Sequence, residues 1–244
     1  GALILAVFPA LYANAGVAAI YWTLAGLAFL CLLVVNRIDG EVLRNAAPVA
    51  TTAGARVPLY KFIIGMAAVL LFYIALSGVW SFMAQISAGA GIDLSASSIV
   101  LSIATVAGIV SALVATILGD TPRRRMYLIA GYVAMAVSVV LLFGAPGLVR
   151  FAVAAIIFKF AWTFILPYLL SSLSDLSAGG QIMNTTNLMI GSGFAIGPIV
   201  SGALIESGGG FRGMLAMALI GVLASLICVM AVQRSNQVRL SRSK

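Results

Sequence analysis

The chain is 244 residues long, 63% apolar and only 8% charged, with a formal net charge of +8 and no histidine. Soluble domains carry roughly 25% charged residues, so a water-solvated globular surface is excluded. Repeated apolar stretches of about 20 residues are long enough to cross ~30 Å of hydrocarbon and define an integral membrane protein. The runs are continuous instead of alternating over ~10 positions, which excludes a membrane barrel and predicts an all-α transmembrane bundle. Both cysteines, Cys31 and Cys228, lie inside apolar runs, so no disulfide framework, metal site or cofactor is expected. The basic residues sit between the spans and report orientation; they do not form a nucleic-acid surface.

In chain order, residues 1–11 form a short apolar segment, Tyr12–Gly16 reads as a turn, and Val17–Val35 is a full span. A polar linker, residues 36–58, is the longest polar stretch and the best boundary between two halves. Six spans follow, at about 59–86, 95–118, 126–144, 147–173, 186–206 and 213–233, and residues 234–244 form a basic tail.

With the linker on the cytoplasmic side, strict alternation places Arg37, Arg44, Arg56, Lys61, Arg123, Arg124, Arg125, Arg234, Arg239, Arg242 and Lys244 inside. Only Arg150 and Arg212 fall outside, as the positive-inside bias requires. The same alternation starts Gly1 at membrane depth, since its apolar segment reaches only ~17 Å as a helix. A charged terminus there is costly. The expectation is therefore that the chain is a truncated piece beginning part-way through a helix; the alternative is one long tilted helix from Gly1 to Val35, bent at Pro9.

An internal repeat supports this. The tetrapeptide GALI occurs at Gly1–Ile4 and again at Gly202–Ile205. At a constant offset of 197 residues, Ala19 pairs with Ala216, Cys31 with Cys228, Val35 with Val232 and Arg37 with Arg234. Each copy has the order GALI, glycine-containing turn, span, arginine.

Two motifs carry chemistry or packing. The first is Gly119-Asp120-Thr121-Pro122-Arg123-Arg124-Arg125, a short loop in which Asp120 can pair with arginines across a gate. The alternative is that the arginines only anchor the loop. The second is Gly193-Phe-Ala-Ile-Gly197-Pro198-Ile-Val-Ser-Gly202. Its small residues four apart let helices pack closely, and Pro198 permits a bend.

On these residues the chain resembles the major facilitator superfamily of secondary transporters. The first motif is similar to the family's G-x-x-x-D-R-x-G-R-R loop: Asp120, Arg124 and Arg125 match, while Thr116, Thr121 and Arg123 depart from it. The second is similar to the G-x-x-x-G-P-x-x-G-G motif of proton-driven exporters, here on the equivalent helix of the other half. The resemblance implies that 1–35 is the end of helix five plus helix six of a truncated N-terminal half. It also makes 36–58 the cytoplasmic linker, 59–233 the C-terminal six-helix half, and 234–244 a cytoplasmic tail. Because Gly202 lies roughly 145 residues into its half, the resemblance implies that roughly 145 residues precede Gly1.

Lys159 is the one charged side chain deep in a span, where an ionisable group faces an aqueous cavity or a partner. Trp162 and Thr163 follow at i+3 and i+4. The expectation is that Lys159 binds an anionic group or couples to proton movement; the alternative is a structural contact to the missing half. Tyr73, Ser77, Trp80 and Ser81 form a stripe that suits a cavity wall or, equally, helix packing, with Gln85 near its outer end. Asn187, in the polar run Asn184–Asn187, can contact solute or satisfy backbone.

The resulting expectation is alternating-access transport of a small organic solute, proton-coupled and directed toward export, in a bacterial plasma membrane. Its partners are the solute, protons, lipid and the missing half. No enzyme chemistry is expected, since no nucleophile–base pair, metal cluster or phosphate loop is visible. The competing readings are a seven-helix photoreceptor or receptor and a non-catalytic permease subunit served by a soluble ATPase.

Overall fold

A computed structural model of the chain describes residues 58–119, 123–174 and 180–242, together with positions 16, 18, 19, 21–27, 29 and 30. Side chains are described outside 174–182 and 234–242. The opening segment 1–11, the linker before Pro58, Cys31 and Asp120 lie outside the described residues.

Every regular element among the described residues from Pro58 onward is helical. They are α1 (Leu59–Ser81), α2 (Met83–Gly89), α3 (Leu94–Leu118), α4 (Arg124–Leu141), α5 (Leu148–Ser174), α6 (Gly180–Leu204), a five-residue π-turn (Ile205–Gly209) and α7 (Gly210–Arg242). Positions 21–27 are helical too and expose Tyr21 and Trp22. The expected span 59–86 is interrupted at Phe82, where α1 gives way to the short α2. Asp93 caps α3 by accepting from the amides of Ser95 (2.9 Å) and Ala96 (3.3 Å), which satisfies two of the helix's orphan donors.

The continuous apolar stretch Met183–Gln233 is 51 residues long. As one helix it would run about 75 Å, far more than a single crossing of ~30 Å. Two glycines break it, Gly208 at φ 93° and Gly210 at φ 56°, conformations that only a residue without Cβ adopts freely. The chain reverses there. It runs parallel to α1 along α6, pairing Met66 with Thr186, Tyr73 with Gly193, Ser77 with Gly197 and Phe82 with Gly202, at a constant offset of 120 residues. Along α7 it returns antiparallel, pairing Ala75 with Gly221 and Ala68 with Ser225. The six expected spans are thus six helices of crossing length. Helix α7 runs on to Arg242, so the expected polar tail continues the helix; no glycine or proline after Gly221 stops it.

α1 packs on α6 and α7, α5 packs on α3 and α4, and α4 joins the two groups by packing on α7. Between lipid-bathed helices there is no hydrophobic drive to associate, so small residues and buried hydrogen bonds set the contacts. The closest approach is α1 to α6. A Cβ on Gly197 would lie 2.6 Å from the Ile74 carbonyl and would overlap the Ser77 hydroxyl. Gly78 would likewise meet Ser201. Gly202 meets only Phe82, at an ordinary 3.6 Å, so Gly193 and Gly197 form the tight part of the motif. On α5, Gly131 of α4 leaves room for Ile165.

One hydrogen-bond chain crosses the rear of the bundle. Ser225 Oγ donates to the Ala68 carbonyl (2.7 Å), so its single proton is used, and the Tyr132 hydroxyl donates to Ser225 Oγ (2.7 Å). Two prolines lie inside helices, Pro167 in α5 and Pro198 in α6. Each removes a backbone donor, leaving the carbonyls of Thr163 and Phe194 without their i+4 partner.

Two glycine substitutions should separate packing from helix propensity. Gly197→Ala forces a methyl group into Ile74 and should lower stability by about 1–3 kcal/mol. Gly191→Ala, with no heavy atom within 4 Å of the new methyl, should be neutral or stabilising by about 0.5–1 kcal/mol. Thermal unfolding in one detergent checks both. In the same assay Ser225→Ala should cost more than Tyr132→Phe, because it strands the buried Tyr132 hydroxyl. That difference should be about 1 kcal/mol, and the double variant should be no worse than Ser225→Ala alone.

Candidate functional site

Lys159 projects from α5 into a cluster of rings supplied by three helices. Its Nζ lies 3.7 Å from the ring centroid of Trp162 and 4.3 Å from that of Trp80 on α1. Both distances fall well inside the ~6 Å range of cation–π attraction, which is worth ~2 kcal/mol or more when desolvated. Phe158 stacks on Trp80, with centroids 6.2 Å apart and planes 9° off parallel. Trp162 meets Phe194 of α6 at 5.8 Å, and Tyr73 of α1 meets the same Phe194 at 5.2 Å. Lys159 is half-buried, Phe158 and Tyr73 are fully buried, and Phe194 is exposed. The cluster is thus anchored on one side and open on the other.

The lysine stem fits because Gly108 of α3 faces it. A Cβ there would lie 3.2 Å from Lys159 Cγ, so a larger residue would crowd the stem. Among the described residues the acidic side chains are Asp93, committed to capping α3, and Glu206, exposed at the α6–α7 reversal. Among the described residues, it is ring faces that meet the positive charge.

The expected site residues divide. Trp162, Trp80 and Tyr73 join Lys159. Thr163 does not: its hydroxyl donates to the carbonyls of Gly108 (2.9 Å) and Lys159 (3.0 Å), tying α5 to α3. Its position one residue beyond Trp162 turns it toward α3. Ser77 is also committed to packing, donating to the Gly193 carbonyl at 2.9 Å inside the α1–α6 notch. A small hydroxyl between close helices finds a backbone carbonyl first. Ser81, Gln85 and Asn187 are exposed, and Gln85 lies on α2 beyond the helix break. Of the loop motif, Arg125 is exposed and Arg124 donates to Ser171 Oγ of α5 at 3.4 Å. Arg150, one of the two arginines expected outside, folds back to donate to the carbonyls of Phe143 (3.1 Å) and Gly144 (2.9 Å) beyond the end of α4.

Phe158, Phe194 and Gly108 were not singled out in the sequence. Phe158 could have been found as the i−4 neighbour of Trp162. Phe194 and Gly108 become visible only once α6 and α3 are placed. Two spaces lie elsewhere. A groove of about 270 Å³ between α4 and α7 is lined by Val133, Val137, Val140 and Leu223. A space of about 460 Å³ is lined by Gly144, Pro146, Phe211 and Arg212. Neither lining includes Lys159.

A bundle of long apolar helices, with a half-buried cation met by rings from three of them, defines a polytopic integral membrane protein. The sequence profile of the Major Facilitator Superfamily matches residues 65–244, and the chain belongs to that family. Its members are secondary transporters of small solutes and not enzymes, which sets aside the photoreceptor and ATPase-served readings. The chain matches no curated protein and no solved structure.

The cation–π contacts can be measured as a coupling. A double-mutant cycle with Lys159→Met and Trp80→Leu, followed by unfolding in detergent, should give an interaction of about 0.5–2 kcal/mol. Gln85→Ala should be within ±0.5 kcal/mol of the parent.

Proposed function

We propose that this chain is the C-terminal portion of a two-half secondary transporter that moves a small organic solute by alternating access, driven by a proton gradient. In this reading residues 1–35 belong to the N-terminal half, 36–58 form the cytoplasmic linker, and α1 to α7 make the six-helix half. The observation that carries it is the convergence of α1, α5 and α6 on Lys159. A solute held between halves near mid-membrane must be met by helices that belong to one half yet move against the other. The membrane is a bacterial plasma membrane, with the arginine-rich loop and both ends of this half inside; the charge distribution supports that orientation.

Lys159 is the solute- or proton-linked group. The loop holding Asp120, Arg124 and Arg125 latches the cytoplasmic side: Arg124 already reaches Ser171 on α5, and Asp120 supplies the opposite charge. The Gly193–Gly202 motif favours the export direction.

The test is solute-induced proton movement. The chain, joined to its N-terminal half, is reconstituted in vesicles with a trapped pH-sensitive dye and challenged with a panel of organic acids and bases. At least one solute should move protons, and Lys159→Met should cut that rate at least tenfold with unchanged incorporation. Undiminished flux in a well-incorporated Lys159→Met variant would refute the role given to the lysine.

A further inference from the structure

Resting on the transport reading, we infer that the Lys159 cluster accepts a monoanionic solute with a flat apolar body, of which an aromatic carboxylate is the simplest case. The ammonium group has three donors, and its described neighbours at Nζ are the Trp80 and Trp162 rings. Rings offset charge but leave donors unused. A carboxylate supplies charge-assisted hydrogen bonds, stronger than neutral ones. It therefore gains what the rings leave unsatisfied.

The same surroundings argue against other solutes. A sugar or polyol needs hydroxyl or amide groups free to bind it. The hydroxyls nearest the cluster are spent on backbone carbonyls: Ser77 on Gly193, Thr163 on Gly108, and Ser111 on Phe160 at 2.7 Å. An organic cation would suit an aromatic box, but Lys159 already occupies this one and would repel a second positive charge. A zwitterion needs a carboxylate, and the described ones, Asp93 and Glu206, sit at helix ends. What remains is one cation and ring surface. Phe194 is exposed and Trp80 half-buried, and both offer faces on which a planar body can stack.

The chain carries its own reporters. Of its three tryptophans, Trp80 and Trp162 flank Lys159, and Trp22→Phe removes the third. In nanodiscs, that variant is titrated with biphenyl-4-carboxylate, its neutral amide, biphenyl-4-methylammonium and maltose, following tryptophan emission. The carboxylate should quench with a midpoint at least tenfold below that of the amide, and the ammonium and maltose should have no saturable effect. Adding Lys159→Met should bring carboxylate and amide within about twofold. Phe194→Ala should weaken both several-fold and leave their ratio unchanged. Equal binding of carboxylate and amide by the parent, or tighter binding of the ammonium or maltose, overturns the inference without recourse to any variant. A ratio that survives Lys159→Met in a folded protein overturns it as well. Selective binding without vesicle flux of the carboxylate would leave this solute class standing and count against transport. Equal binding alongside proton-driven flux of another solute would do the reverse.

Discussion

The close approach of α1 and α6 is the constraint on which the rest of the bundle depends. In hydrocarbon the helices gain little by hiding apolar surface from one another, so contact must come from van der Waals fit and buried hydrogen bonds. Gly78 on one helix and Gly193 and Gly197 on the other remove the side chains that would hold the backbones apart. Ser77 then fastens the gap by donating to Gly193. That seam fixes the register of the two helices, and the register places Tyr73 against Phe194 and lifts Trp80 two further turns, beside the lysine of α5.

α5 reaches the same place by a separate set of contacts. Ser111 and Thr163 tie it to α3, and Gly131 lets it settle against α4. The backbones of α1 and α5 meet little; their side chains meet around Lys159. The Lys159 cluster thus lies where two groups of helices meet, groups joined elsewhere through α4, α7 and the Tyr132–Ser225–Ala68 hydrogen bonds. This explains why hydroxyls on α1, α3 and α5 hold carbonyls while rings face the lysine. In this bundle polar atoms do the fastening, and aromatic surface surrounds the single charge of Lys159.

Much of this was legible in the sequence. The number and order of the spans follow from hydropathy, because a crossing segment must satisfy its own backbone and so declares itself by length. Lys159, Trp162, Trp80 and Tyr73 were legible because a charge or large aromatic at mid-span demands an explanation. Thr163 and Ser77 show the limit. Helical spacing places Thr163 on the face of Lys159 and Ser77 on that of Tyr73 and Trp80, but whether a hydroxyl meets solute or a neighbouring carbonyl depends on how closely the next helix comes. That distance is set by glycines elsewhere in the chain. Phe194 and Gly108 were hidden for the same reason, since a phenylalanine or glycine in an apolar run announces nothing until its partner helix is known. The extension of α7 to Arg242 was missed because a basic composition was read as a tail, although none of those residues stops a helix.

Pro167 has a mechanical consequence for α5. A helix behaves as a beam whose stiffness comes from its rungs of hydrogen bonds, and one rung is absent where Pro167 cannot donate to Thr163. The weak section lies between the stretch that carries Lys159 and the stretch whose Ser171 receives Arg124. Bending strain applied to either end is concentrated there, and the torque that passes from one stretch to the other is correspondingly reduced.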